Sequence, residues 1–177
     1  MTPDELAEKH PRLYHVTDPR NWDGIRKHGL LPTSSLLSLF EIPAARHVAI
    51  ERQRRPDSAL LPSHPVHEEA TINDNIPLIE KALRPYLDDG LEAADWYAIQ
   101  NRRVFFWVIK KDADRFLQAK AHEGQERLLL VLDTLSVAKR YAEQMELSPI
   151  NSGSARRRPA RRGLSTFTPL LRHDYPT

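Results

Sequence analysis

"LYHVTDPRNWDGIRKHGLL", residues 13–31, sets a histidine inside a short apolar run, follows it with a helix start, and closes with a glycine. The order reads as strand, tight turn, helix. Leu13, Tyr14 and Val16 favour extended, partly buried backbone. Asp18-Pro19 opens a helix, because aspartate accepts from the first free N–H groups and proline fits the first helical position. Trp22, Ile25 and Arg26 share one helical face, and Gly29 supplies a left-handed stop. Strand alternation points Leu13 and His15 to one face, Tyr14 and Val16 to the other. A neutral imidazole there donates from one nitrogen and accepts at the other, which suits a ribose hydroxyl or a carbonyl in a cleft. The plainer alternative is a core histidine bonded to backbone, and spacing alone favours it.

The 177 residues fit one domain spanning 1–177, which at this length buries roughly two thirds of its unfolded surface. A content of 40% hydrophobic and 28% charged residues is that of a globular chain rather than a disordered or fibrous one. The absence of cysteine excludes disulfides, thiolate zinc sites and a cysteine nucleophile, and fits a reducing compartment. With an acidic start, "MTPDELAEKH", and no apolar run of membrane-spanning length, a cytoplasmic protein without a membrane segment is expected. The net charge of +2 hides an asymmetry: residues 150–177 hold six arginines and one acid, Asp174. That basic end suggests an anionic partner, against the alternative of a solvated loop.

Further along, Thr2-Pro3-Asp4-Glu5 is a capping box that starts a helix reaching about Lys9. Thr33 or Ser34 can cap a helix through Phe40, and residues 42–55 read as a helix with an apolar stripe of Ala45, Val48 and Ala49. Residues 55–66, with three prolines, read as a loop. "EATIND" reads as a brief strand, "PLIEKALRPYL" as a helix beginning at Pro77, and "LEAADWYAIQN" as another. "RVFFWVI" is the clearest strand by composition. "KDADRFLQAKA" follows as helix, "RLLLVLD" as a fully buried strand, and "TLSVAKRYAEQ" as helix. "MELSPI" and "LSTFTPLL" close the chain as strands around a basic arginine-rich loop, residues 152–163. This order of elements predicts an α+β fold.

The stretch "LYHVTDPRNWDGIRKHGL" resembles the first motif of the ADP-ribosyltransferase superfamily in its histidine-type branch, which takes in diphtheria-type toxins, poly-ADP-ribose polymerases and DNA-modifying ADP-ribosyltransferases. There an aromatic-His-x-Ser/Thr strand precedes a helix ending in I-x-x-x-G-L. Tyr14, His15 and Thr17 fall on the positions that grip NAD, and Ile25, Gly29 and Leu30 on the helix and its stop. The whole chain, through "RVFFWV", "ELSPINSG" and "RRGLSTFTPL", further resembles a group of bacterial domains of unknown function. The first resemblance implies a compact mixed sheet with helices flanking a central cleft, and NAD as substrate.

It also implies a second element, an aromatic packed on nicotinamide. "NRRVFFWVIKKDADRFL" matches it in shape, with Phe106 or Trp107 where the family has tyrosine, and an offset ring contact contributes on the order of 1 kcal/mol beyond burial. The third element is a glutamate on a late strand, and Glu146 has the right order along the chain, with Glu143 close by. A carboxylate there opposes the positive charge that spreads over the ribose as the nicotinamide bond breaks. His15 and Glu146 are thus the candidate catalytic pair. Asn101 and Arg103 precede the aromatic run, where an arginine can pair with a pyrophosphate, and Asn151 in "INSG" suits close approach of backbone to a ligand.

"ARRRPARRG" carries five arginines in nine residues, Arg156, Arg157, Arg158, Arg161 and Arg162. Such a run attracts phosphates by counterion release, so a nucleic-acid acceptor is expected, read by its backbone rather than its bases. A toxin or defence role with an antitoxin-like protein partner is compatible with the resemblance. The alternative is an inactive ADP-ribosyltransferase-like domain that binds nucleic acid or protein, favoured by the missing tyrosine. No metal is assigned: His64-Pro-Val-His67-Glu68 holds two imidazoles, but the prolines at 62 and 65 prevent a helical face and a third ligand is not evident.

Overall fold

The computed structural model describes residues 1–119, 123–154 and 160–173. It shows an α+β chain of short helices and two-stranded antiparallel sheets. Within the span read as one domain, the backbone forms two compact units. One joins Met1–Thr17, Phe105–Ile150 and Ser165–Thr177; the other joins Asp18–Val104 and Asn151–Leu164.

The first unit is organised on β1 (Arg12–Thr17), which pairs antiparallel with β4 (Leu128–Asp133) from Arg12 opposite Asp133 to Thr17 opposite Leu128. On the other edge of β1, Tyr14 exchanges both backbone bonds with Trp107, each 2.9 Å long. Helix α7 (Lys110–Leu117) packs on β1. Helix α1 (Pro3–Lys9) starts at the reciprocal Thr2–Glu5 cap and lies against α8 (Thr134–Tyr141). Leu6, Ala138 and Leu170 form the buried contact there, with Met1, Met145 and Leu147 around them. Asp133 both ends β4 and caps α8, accepting from the Ser136 amide at 2.9 Å. The strands β5 (Glu146–Leu147) and β6 (Thr168–Pro169) make a separate short ladder.

The second unit begins with a 3-10 turn, Pro19–Asn21, whose cap is the Asp18 carboxylate. Helix α2 (Trp22–His28) then runs to Gly29, which takes φ 79° at the stop, a conformation that favours glycine because it has no Cβ. Helices α3 (Thr33–Leu39) and α4 (Ala44–Arg52) pack on the hairpin of β2 (Ala59–His64) and β3 (Glu68–Ile72) through Leu37, Phe40, Ile42, Ile50, Leu61, Ala70 and Ile72. Asn21 accepts from the Thr71 amide and donates to the Thr71 carbonyl, at 2.7 and 2.8 Å, and so pairs the free edge of β3 as a strand would. Helix α5 (Glu80–Leu83) precedes α6 (Ala93–Asn101), which buries Trp96, Tyr97 and Ala98.

Several expectations are corrected. "RVFFWVI" is not a strand: only Trp107 pairs with β1, because the Phe105 carbonyl is taken by a side chain and the backbone turns into α7 at Lys110. The segment 55–66 is not a loop throughout, since it contains β2; Pro62 is tolerated where the register shifts between Leu61 and His64. Strand β4 is not fully buried, and Val131 is 55% exposed. The helix expected from Pro77 shrinks to α5 and a 3-10 turn, Arg84–Tyr86, because Pro85 brings no N–H to an α ladder. In α4 the inward residue is Ile50, while Ala45 and Val48 face outward. Pro32, not Thr33 or Ser34, occupies the cap position of α3, and the Ser34 hydroxyl donates instead to the Asn101 carbonyl. The closing strands are only two residues each, and 3-10 turns lie on either side of β6. The end of the helix expected after Lys110 falls at 120–121, outside the described residues.

Two substitutions in the second unit test this packing. Asn101→Ala strips Arg55 and the Glu51 carbonyl of a buried partner, and should lower the unfolding free energy by about 2–4 kcal/mol. Gly163→Ala places a Cβ 2.2 Å from Asp89 Oδ2 and 3.1 Å from Asp88 Cβ. Asp89 is held by the Leu164 amide at 2.7 Å, so the clash should cost about 1–3 kcal/mol. Urea unfolding midpoints of both variants against the parent chain check the two values.

Candidate functional site

His15 stands in the middle of β1, opposite Leu130 of β4. Its Nδ1 donates to the Phe105 carbonyl at 2.9 Å. Since a carbonyl can only accept, the neutral ring carries its proton on Nδ1 and keeps Nε2 as an acceptor. Burial holds the imidazole below its ordinary pKa, and the Phe105 carbonyl offsets that only in part. The side chain is therefore a neutral, orientation-fixed acceptor at neutral pH. The Phe106 ring lies 5.7 Å from it, centroid to centroid, tilted by 56°.

The aromatic run divides its roles. Trp107 packs against Phe116 of α7, with centroids 5.0 Å apart. Phe105 leans on the buried Phe167 at 5.9 Å. Phe106 is thus the ring of the run in contact with His15, while its two neighbours pack on other aromatics. Tyr14 is half-buried and holds Trp107 by its backbone, and Thr17, at the end of β1, is buried. Glu146 is exposed on β5, a strand whose partner is β6, so it does not share the sheet that carries His15.

The remaining candidates belong to the second unit. Asn101 is buried and donates to the Glu51 and Tyr97 carbonyls at 2.8 and 2.9 Å, while its Oδ1 accepts from Arg55 at 3.0 Å. Its amide therefore works in the interior framework. Arg55 reaches the Ile50 and Asn73 carbonyls from the same guanidinium, and burial draws its pKa down to about 10. Arg103 is half-buried and donates to the Ile99 carbonyl at 2.7 Å. Asn151 is exposed and closes a turn by accepting from the Gly153 amide at 3.1 Å. Glu51, on α4, faces His47 and Arg102 at 3.8 and 3.6 Å.

Of the five arginines, Arg156, Arg157 and Arg158 lie outside the described residues. Arg161 pairs with Asp88, its Nε 2.7 Å from Oδ1. Arg162 is corrected from a surface phosphate contact to an interior one: it is 1% exposed, stacks over Trp96, and donates to the carbonyls of Ser152, Ser154 and Ala160. A guanidinium so enclosed cannot meet a phosphate on the outside. Burial lowers its pKa as well.

Sequence reasoning missed the Phe105 carbonyl and the Phe167 ring. A backbone oxygen leaves no trace in residue type, and Phe167 lies in the segment "RRGLSTFTPL", where its aromatic character was the available signal. Among the described residues no three metal-ligating side chains are arranged to hold an ion, and no helix is long and apolar enough to cross a membrane. No curated protein and no solved structure matches the chain. The profile of DUF7002, a family of unknown function, matches residues 11–177, nearly the full length, and the chain therefore belongs to the DUF7002 family.

Proposed function

We propose that the protein is an NAD-dependent ADP-ribosyltransferase that moves ADP-ribose onto a macromolecular acceptor. The observation that carries the reading is His15: a neutral imidazole whose Nδ1–H is bound to the Phe105 carbonyl and whose Nε2 is left to accept, beside the Phe106 ring. A fixed acceptor suits a ribose hydroxyl, and an aromatic face beside it suits nicotinamide. In the proposed reaction the bond from ribose C1′ to the nicotinamide nitrogen breaks, nicotinamide leaves with the electron pair, and an acceptor nucleophile bonds to C1′ as it loses its proton. Glu146 is the proposed carboxylate that opposes the sugar's developing charge and takes that proton. Thr17 and Tyr14 support the histidine strand.

Nucleic acid is the proposed acceptor, on the strength of the six arginines after residue 149, chiefly Arg156, Arg157 and Arg158 since Arg161 and Arg162 have interior or acidic partners. A cytoplasmic role as a toxin or defence protein, held in check by an antitoxin-like protein, accords with that chemistry. One observation favours a second reading, a binding module without catalysis: Glu146 lies on a different sheet from His15.

Incubation with NAD labelled in the adenylate, with DNA, RNA and protein offered separately, tests the proposal. The parent chain should release nicotinamide and transfer label. His15→Ala should weaken NAD binding by at least about tenfold, one hydrogen bond to a held group. Glu146→Gln should leave binding intact and lower turnover by roughly 10²–10³. NAD binding without turnover in the parent chain selects the binding module, and neither binding nor release overturns both NAD readings.

The depressed pKa of His15 gives a separate expectation. The folded state resists protonating this ring, so the unfolded chain takes up the proton first as pH falls. Its stabilising contribution is complete above about pH 6.5, the ordinary histidine value, and is lost as pH falls toward the folded value. Unfolding midpoints at pH 7.5 and 5.0 should therefore drop more for the parent than for His15→Gln, which does not titrate.

A further inference from the structure

Outside the His15 region, the second unit gathers three more histidines. His28 ends α2, His64 ends β2, and His67 lies in the turn before β3. His67 Nδ1 is 3.0 Å from His28 Nε2, with the rings edge to face and centroids 4.7 Å apart. The His64 ring stacks on His67, 4.6 Å away and within 20° of parallel. Phe40, just past α3, lies 5.9 Å from His64 and 5.8 Å from His67. The turn itself is tied by three bonds: the Val66 amide donates to His64 Nδ1 at 3.2 Å, the His67 amide donates to the His64 carbonyl at 3.2 Å, and Lys27 Nζ donates to the Val66 carbonyl at 2.6 Å.

The proton count of this cluster is limited by its geometry. A bond between two imidazole nitrogens needs one donor and one acceptor, so it holds with one proton between them and fails when both rings are cations. His64 Nδ1 must stay bare to accept from Val66. A proton there turns an acceptor into a second donor. Two stacked cations also repel, and the charged side chains facing His67 do little to offset this: Lys27 and His28 from α2 and His64 from β2 oppose a positive charge, while Glu41, after α3, favours it. A second added proton on the His28–His67 pair, or one on His64 Nδ1, therefore breaks a bond that seats the hairpin tip.

We propose that His28, His64 and His67 form a proton-operated latch, which holds the tip of the β2–β3 hairpin on α2 and Phe40 while the rings are neutral and releases it as further protons enter. The latch is independent of the His15 chemistry. Burial first, then His64, His28 and Lys27, hold the His67 imidazole below its ordinary pKa, so protonating it takes a lower pH than a free histidine needs. The Asn21–Thr71 bonds, which no imidazole joins, keep the base of the hairpin in place.

Amide hydrogen exchange of the full chain at pH 7.5 and 5.0, corrected for the intrinsic rate, reads the latch directly. Protection at Val66 and His67 should fall on the order of tenfold, the factor that one unit of pKa difference between held and released tip supplies, while Thr71 keeps its protection. The variant His64→Asn/His67→Asn offers amide groups that donate or accept at similar positions and do not titrate; its tip should show equal protection at both pH values. His28→Asn serves as a second variant and should at least halve the pH response on a logarithmic scale. Equal protection of the parent tip at both pH values overturns the proposal, as does a pH response that survives undiminished in a folded variant.

Discussion

The first unit depends on β1 being held at both edges. On one side the six-residue ladder to β4 fixes its register from Arg12 to Thr17; on the other, Tyr14 and Trp107 exchange a single pair of backbone bonds. Past Trp107 a side-chain bond takes over from the ladder, the Phe105 carbonyl accepting from His15 Nδ1. An imidazole thus replaces a backbone amide at the point where a third strand would have continued. The edge here ends in a side-chain bond and a turn into α7, and that bond also fixes the tautomer of the ring.

The second unit solves a different problem, the burial of cations. Arg55 and Arg162 are both enclosed, and each is met chiefly by carbonyl and amide oxygens. Burying charge is costly unless its donors are satisfied, and the guanidinium has enough donors in fixed directions to bridge several backbone segments at once. Arg162 ties residues 152, 154 and 160 around Trp96, while Arg55 ties α4 to the segment after β3 and to Asn101. Both side chains act as struts between pieces of chain that have no regular secondary structure to join them.

How much of this was legible follows from where the information lies. The strand, turn and helix of residues 12–29 were readable because each boundary has a local chemical cause: the Asp18 cap, Pro19, and Gly29 with its positive φ. The capping box at Thr2 and Glu5 was readable for the same reason. "RVFFWVI" misled because β-branched and aromatic residues also fill irregular segments packed on neighbouring rings, as Trp107 does on Phe116. β2 was hidden by prolines, which are permitted at a break in register. Within the candidate site, His15 and an aromatic of the 105–107 run were visible as residue types, but the choice of Phe106 over Trp107 depends on which ring faces the histidine. The arginine run showed its charge and hid its partners; Arg162 turned inward, which composition could not indicate.

The order in which the chain can assemble follows from the pairing of Arg12 with Asp133. More than a hundred residues separate Arg12 from Asp133, and the whole of Asp18–Val104 emerges in the interval. Closing so long a loop is slow when no local structure shortens it. Helices and hairpin formed early within that interval gather the intervening chain. The strand bearing His15 therefore stays unpaired along its β4 edge until Leu128–Asp133 has been synthesised.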